Sequence, residues 1–155
     1  MCDRVEFVCG IGDELSVAAS VASAASTVAT ASALSGGKAA SARFTICGHA
    51  KRIDCMVDGD TPRMAGTKIR IADIDTPKTH PPRSACKARL AQAATPKMYP
   101  LLNAGPFTLT PTKRDVDRYG RKLRLVERDG ASLGAVLVRQ GLARRYGGGK
   151  RSPWC

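Results

Sequence analysis

The sequence has few aromatic residues, few histidines and almost no glutamate beyond its first residues. Phenylalanine, tryptophan and tyrosine make up 5% of the 155 residues, so the core must rest on isoleucine, leucine, valine and alanine. Only two histidines are present, and the six cysteines form no C-x-x-C pair. A zinc ribbon or a Cys/His metal site is therefore poorly supported.

The N-terminal part lacks the features of a signal peptide and of a strongly hydrophobic membrane span. Residues 15–35 carry no charge, but serine and threonine make up 8 of these 21 residues. Asp3 and Glu6 accompany the single basic residue Arg4, which is unlike a positively charged leader. We interpret residues 1–43 as a low-complexity extension. Residues 15–35 are either a small-residue helix that packs on a protein or membrane partner, or a disordered tether.

Positive charge is concentrated after this extension. Residues 1–37 contain one basic and four acidic residues, which leaves 24 Lys and Arg against 9 Asp and Glu in residues 38–155, a net charge of +15. Such a charge indicates a polyanionic partner, with nucleic acid first and an anionic membrane surface second. A generally solubilising surface is the remaining interpretation.

The even number of cysteines in a small basic chain indicates disulfides and an oxidising compartment. We therefore expect an extracytoplasmic location, secreted or associated with the cell envelope, with a virion-associated protein as the alternative. Scattered free thiols remain open, because the sequence alone proves no pairing.

From residue 44 to residue 155 the sequence indicates a single domain of short strands and helices. Alternating apolar residues predict strands, at 53–57, 69–74, 107–109 and 122–127. Asp129-Gly130 predicts a turn, and Ser132 is expected to cap a helix that ends at Gly141. An earlier helix over 84–103 should be interrupted by Pro96 and Pro100. This order predicts an α+β barrel.

Three segments carry the candidate chemistry, namely 57–61, 69–77 and 117–121. The first is Val-Asp-Gly-Asp-Thr, which places two carboxylates at a strand end. The second contains Arg70 and Asp75, which lie on opposite faces of a strand unless the Asp-Thr-Pro turn bends the chain. The third is a tight turn that projects an arginine. Carboxylates and backbone carbonyls suit calcium, and arginines suit phosphate oxygens.

In this order and spacing the segments resemble the staphylococcal nuclease (thermonuclease) family. The continuation over 134–143, Gly-Ala-Val-Leu-Val-Arg-Gln-Gly-Leu-Ala, is similar to the helix that follows the hairpin in that family. The resemblance covers about two thirds of the chain. It implies a five-stranded OB-fold barrel with flanking helices.

The resemblance also implies roles for individual residues. Asp60, Asp75 and the carbonyl of Thr76 would hold Ca²⁺, while Arg70 and Arg121 would bind the scissile phosphate and stabilise its transition state. Three further residues would bind or shape the pocket for substrate, namely Asp58, Arg118 and Tyr119. The Pro-Trp-Cys end resembles a secreted bacterial branch, which implies disulfides formed by Cys47 with Cys55 and by Cys86 with Cys155.

Lys78 is the main departure from the family pattern. The family places a glutamate at this catalytic position, as general base or organiser of the attacking water. A protonated lysine accepts no hydrogen bond and repels a nearby cation. Glu127 is the only glutamate after residue 14, and it lies on another predicted hairpin. We therefore expect a calcium-dependent nuclease of impaired activity on DNA or RNA.

Two other functions stay open at this stage. One is a non-catalytic nucleic-acid-binding OB module, as part of a larger assembly such as a phage particle. The other is a disulfide-stapled structural protein whose basic surface is incidental.

Overall fold

The computed structural model describes residues 36–81 and 84–155. The Ala/Ser-rich segment 15–35, its proposed helix and its proposed partners lie outside these residues, as do Cys2 and Cys9. The described part begins with a strand at Lys38–Ala40, a few residues before the start of the predicted domain at residue 44.

Ten strands and two helices make up the described residues. The strands are β1 Lys38–Ala40, β2 Thr45–Ile46, β3 Cys55–Asp58, β4 Thr61–Met64, β5 Thr67–Ile71, β6 Ile74–Asp75, β7 Phe107–Val116, β8 Lys122–Arg128, β9 Ala131–Ser132 and β10 Arg144–Arg145. The helices are α1 Ala85–Asn103 and α2 Gly134–Arg139.

The strands form one curled mixed sheet and one short ladder. The sheet has the order β1-β7-β8-β5-β4-β3-β2, with β9 added to β8, and β6 pairs separately with β10. The pairs β2–β3 and β5–β8 are parallel, and the other neighbours are antiparallel. Such a curled sheet with flanking helices confirms the predicted α+β barrel of the OB type.

The core lies between the sheet and both helices. Apart from Phe44 and Phe107, whose rings lie 6.1 Å apart, it is built from aliphatic residues and methionine, in keeping with the scarcity of aromatics. Its largest fully buried side chains are Met56, Ile71, Ile74, Met98, Leu102, Leu137 and Val126. These side chains fix the backbone under the candidate site, since β5 and β6 each contribute one of them.

Helix α1 is continuous, so the predicted interruption at Pro96 and Pro100 is wrong. Both prolines lie on the exposed face of the helix, one turn apart, where water can satisfy the carbonyls that lose a backbone donor. The opposite face is buried through Ala91, Ala94 and Met98. Tertiary packing of this face therefore outweighs the low helix propensity of proline.

Three strands differ from the sequence prediction. The strand predicted over 69–74 is divided into β5 and β6 by a turn at residues 72–73. Thr61–Met64 lies outside the predicted strands, but it forms β4 and pairs on both sides. The turn after β4 is confined to Ala65-Gly66, which both have positive φ. Strand β7 is also much longer than predicted, because it pairs with β8 over most of its length. The Asp129-Gly130 turn lies where it was predicted.

The structure contains the disulfides Cys47–Cys55 and Cys86–Cys155, the two pairs that the family resemblance implied. The first joins the ends of neighbouring strands β2 and β3. The second joins the start of α1 to the last residue of the chain. No helix within 36–81 or 84–155 is long and apolar enough to cross a membrane.

Candidate functional site

The floor of the candidate site is an arginine held between two carboxylates. Arg70 Nη1 lies 2.8 Å from Asp60 Oδ2, and Arg70 Nη2 lies 3.3 Å from Asp75 Oδ1. Taken as whole residues, none of the three is more than 5% exposed. Removing one partner from such a buried group leaves an uncompensated charge. We call Asp60, Arg70, Asp75 and Thr76 the floor.

A turn at Ala72-Asp73 brings Arg70 and Asp75 together. The Ala72 amide donates to the Arg124 carbonyl of β8 at 2.9 Å, and Asp73 Oδ2 accepts from Ser132 Oγ at 2.6 Å. The predicted bend at the Asp-Thr-Pro segment is wrong, because the chain turns before β6. The turn depends on hydrogen-bond partners from β8 and β9, which are distant in sequence.

Asp60 is fixed in the floor by its own hydrogen bonds and by the glycine before it. Its carboxylate accepts from Thr61 Oγ1 at 2.8 Å and from the Thr76 amide at 2.9 Å. A Cβ at Gly59 would lie 2.9 Å from the Cβ of Ala94 in α1. Only glycine therefore allows the β3–β4 connection to approach the helix this closely.

Asp58 contacts the loop that follows Thr76, and Lys78 is part of this loop. Asp58 Oδ1 accepts from the Thr79 amide at 2.9 Å and from Thr79 Oγ1 at 2.6 Å, so it anchors this loop. Lys78 is exposed and lines the groove described below. Lys78 thus brings a positive charge to the groove at the position where the family resemblance predicts a glutamate.

Arg121 projects from the turn between β7 and β8, where Asp117 holds it. Arg121 Nε and Nη2 both lie 2.7 Å from Asp117 Oδ2, and Nη1 lies 3.5 Å from Thr61 Oγ1. Burial raises the pKa of Asp117, but hydrogen bonds from Arg121 and Tyr119 outweigh burial and hold this pKa below its usual 3.8. The carboxylate stays charged and keeps Arg121 oriented.

Arg118 and Tyr119 form the tip of the same turn. The Arg118 guanidinium lies 4.7 Å from the centre of the Tyr119 ring, and its Nη2 donates to Tyr119 Oη at 2.6 Å. Tyr119 is 66% exposed. These two side chains extend the basic surface outwards from Arg121.

The C-terminal segment supplies contacts to the floor that the sequence analysis missed. Arg144 Nη2 and Arg151 Nε each lie 3.1 Å from a carboxylate oxygen of Asp75. The Tyr146 amide donates to the Asp73 carbonyl at 2.8 Å. We call residues 146–155 the strap. The only signal in the sequence is the density of basic residues just before Cys155.

A groove of about 1130 Å³ opens between the floor, the β7–β8 turn and the strap. Only Asp73 and Asp117 are acidic among its lining residues. The basic residues that line it are Lys68, Arg70, Lys78, Lys113, Arg114, Arg118, Arg121 and Arg151. This excess of positive charge suits a polyanion larger than a single phosphate. A small adjoining cavity of about 130 Å³ reaches Asp75 and shares Tyr146 and Arg151 with the groove.

The floor offers oxygen donors of the kind that calcium prefers, though few of them. No group of three or more His, Cys, Asp and Glu side chains gathers anywhere in the described ranges, so the floor carboxylates stand as a pair. Thr76 Oγ1 is buried and has no hydrogen-bond partner in the described part of the chain. These donors fit a hard cation in kind, and the other ligand positions would belong to backbone, water or substrate.

Guanidinium groups already hold the carboxylates that would bind a cation. Each oxygen of Asp75 is in contact with arginine, from Arg70, Arg144 or Arg151. A cation at the floor would therefore have to displace some of these ion pairs.

Comparison with known proteins identifies the family. Residues 68–152, more than half of the chain, match the family model described as staphylococcal nuclease homologue. Over 97 residues the chain is 37% identical to the endonuclease YncB of Bacillus subtilis, a match that covers 59% of this chain and 46% of the relative. It is also 37% identical over 97 residues to the SPbeta prophage-derived endonuclease YokF of the same organism, covering 59% and 32%. The chain thus spans less than half the length of these curated relatives.

Proposed function

The chain belongs to the staphylococcal nuclease family, and from this premise we propose that it hydrolyses phosphodiester bonds in DNA or RNA with little sequence preference. The observation that carries the proposal is the groove, in which seven basic side chains share one cavity with the floor arginine. The names of both relatives, which are endonucleases, support the same reaction.

Binding in this groove is expected to be mainly electrostatic. Basic side chains that neutralise phosphates release counterions, and this contribution carries no sequence information. Lys113 and Arg114 of β7 line one wall, and Lys68 of β5 lies on the same surface. A backbone-tracking groove of this kind accounts for weak sequence preference.

Arg70 and Arg121 are proposed to stabilise the phosphorus centre as charge develops on its oxygens. Both guanidinium groups line the groove and are oriented by carboxylates, Arg70 by the floor and Arg121 by Asp117. Donors that are fixed before the reaction need no reorganisation in the transition state, which is where electrostatic stabilisation is largest.

We further propose that Ca²⁺ is the cofactor, held by Asp60, Asp75 and Thr76. A bound calcium would supply a Lewis acid and orient the attacking water. Within the protein, Arg70 contacts both floor carboxylates, and the Thr76 amide donates to that of Asp60.

Lys78 is proposed to lower the activity. Its ammonium group lines the groove at the position where relatives in this family supply a glutamate, and it cannot take a proton from water while protonated. Losing a general base lowers rates by roughly 10²- to 10⁴-fold. The enzyme is therefore expected to be slow.

The two disulfides support an extracytoplasmic location, because such bonds persist in oxidising compartments. We also propose that residues 1–43 are an N-terminal extension of the nuclease domain, whose last residues contribute the short strand β1.

Supercoiled plasmid DNA incubated with the purified chain tests the proposal. We expect slow conversion to nicked and linear forms with calcium and none with a chelator. Asp60→Asn should lower this rate by at least about 10²-fold, because it removes one floor charge. Asp129→Asn, in the β8–β9 turn, is the matched control and should leave the rate unchanged.

Two outcomes would contradict the proposal. Cleavage that persists at full rate in Asp60→Asn would place the reaction elsewhere. Salt-sensitive DNA binding without any cleavage by the wild type would indicate a binding module instead.

A further inference from the structure

Arg151 lies where the strap, the floor and the groove meet. Its Nε is 3.1 Å from Asp75 Oδ1, and its guanidinium lies 4.8 Å from the centre of the Tyr146 ring. Its side chain is 45% exposed, and it lines both the groove and the small cavity beside Asp75. Among the arginines of residues 36–81 and 84–155, only Arg70 and Arg151 both contact Asp75 and line the groove.

Five arginines line the groove, and carboxylates of the described residues hold three of them, Arg70, Arg121 and Arg151. Arg70 gives both terminal nitrogens to protein acceptors, the Ile71 carbonyl among them. Arg121 uses Nε and both terminal nitrogens for Asp117 and Thr61. Arg151 uses Nε, and its two terminal nitrogens have no acceptor in the described part of the protein. Of the three arginines held by carboxylates, Arg151 has the most donors left for a ligand.

We propose that Arg151 is a third phosphate-binding residue of the groove, which grips a phosphodiester oxygen beside Arg70 and Arg121. A guanidinium presents parallel N–H donors that match two phosphate oxygens, and such charge-assisted bonds are the strong ones. The proposal rests on the proposed function, since it assigns a further contact in the same groove. Asp75 orients Arg151 through Nε and leaves the terminal nitrogens to the substrate.

The strap is held in place at both ends, which fixes Arg151. At its start, β10 pairs with β6. At its end, Arg144 stacks 3.9 Å from the centre of the Trp154 ring and donates to the Ser152 carbonyl, and Cys155 is bonded to Cys86 of α1. Between these points lie three consecutive glycines, 147–149, which have no side chains to pack. Arg151 is therefore held from both sides, and the disulfide is the covalent part of the anchor at the end of the strap.

A different reading of the same contact is that Arg151 blocks Asp75. Arg70 and Arg144 already contact the two oxygens of Asp75, so a third arginine adds little to the neutralisation of this carboxylate. The exposure of Arg151 and its unused donors favour the substrate-binding role. The two interpretations predict opposite changes in oligonucleotide affinity when the Arg151 side chain is removed.

The test uses a fluorescent oligothymidylate, with binding measured by anisotropy in chelator and cleavage measured in calcium. Arg151→Ala should weaken binding by about tenfold, as expected for a lost charge-assisted hydrogen bond. Arg139→Ala, at the exposed end of α2, removes the same charge outside the groove lining and should change binding less than twofold. Arg151→Lys should restore part of the loss, and cleavage should follow the same order.

A redox arm tests whether the strap positions Arg151. Full-length protein carrying Cys86→Ser and Cys155→Ser should bind as weakly as Arg151→Ala. Adding Arg151→Ala to that variant should cause no further loss. If the double serine variant fails to fold, mild reduction of wild type beside Arg151→Ala gives the same comparison.

Three results would overturn the proposal. Arg151→Ala could bind like Arg139→Ala, it could bind more tightly as a plug would require, or the wild type could fail to bind oligothymidylate at all. Binding is measured in chelator, where cleavage is not needed. A wild type that binds but does not cleave would contradict the proposed hydrolysis, and the binding data would still test the role of Arg151.

Discussion

The floor contains Asp75 and the strap contacts it, but the two regions are anchored differently. Floor residues are at most 5% exposed and are fixed by the sheet, by α1 and by their own ion pairs. The strap has exposed glycines and is fixed by two paired residues, a stacked arginine and one disulfide. The charged centre is therefore preorganised by the core, whereas the third arginine depends on a short ladder, the Arg144 contacts and one disulfide.

The largest effect is expected from breaking the floor at its centre. Arg70→Ala would leave Asp60 and Asp75 buried without their shared cation, which destabilises a protein by about 3–5 kcal/mol. Cleavage should also fall by roughly 10²- to 10³-fold through loss of charge stabilisation. Urea unfolding and plasmid cleavage measure the two effects. An Arg70→Ala protein as stable as Arg139→Ala would show that the floor is not held by this ion pair.

Removing each disulfide in turn should distinguish the contribution of the strap from that of the sheet. In the chain-entropy model, the 69-residue separation of Cys86 and Cys155 gives about 4 kcal/mol, and the separation of 8 between Cys47 and Cys55 gives about 2.5 kcal/mol. Serine variants compared by urea unfolding measure both. We expect loss of cleavage only when the 86–155 bond is removed. An equal loss of cleavage in both serine variants would contradict a specific role of the strap in the site.

A gain of function is expected at the rim of the floor. Lys78→Glu should raise calcium-dependent cleavage by roughly 10²-fold, because it restores a proton acceptor and removes a cation near Asp75. Lys113→Glu, on the groove wall, makes the same charge change and should instead weaken DNA binding. A Lys78→Glu protein that binds calcium but gains no activity would place the limitation elsewhere.

The smallest effect is expected at the β7–β8 turn. The pKa of Asp117 lies below 3.8 in the folded protein, so its contribution to stability is present above pH 3.8 and is lost as pH falls through the lowered value. Asp117→Asn should remove that pH dependence and lower stability by less than about 1 kcal/mol. Unfolding at pH 7 and pH 3 measures it. A variant that keeps the wild-type acid response would assign that response to other carboxylates.

The sequence predicted the fold class because alternating runs, a capped helix and turn residues all depend on local chemistry. The Asp129-Gly130 turn lies where it was predicted, since it requires only neighbouring backbone groups. Ser132 Oγ accepts from the Ala135 amide in the first turn of α2, although the N-cap residue is Leu133. The continuous helix through Pro96 was missed because its buried face is defined by distant strands.

The site was predictable only in part, for the same reason. Asp60, Arg70 and Asp75 are brought together, but the turn that unites them needs an acceptor on β8. Arg144 and Arg151 were missed because their contacts with Asp75 are set by the β6–β10 ladder and the Cys86–Cys155 bond. The spacing of residues along the chain does not indicate the contacts of Arg144 and Arg151 with Asp75.

The most direct test of the account is a crystal structure of the oxidised protein with a short oligothymidylate and a chelator that prevents cleavage. The account predicts one backbone phosphate in the groove, within hydrogen-bond distance of Arg70, Arg121 and Arg151, with the strap in place. An oligonucleotide bound on another face, with the groove empty, would contradict it.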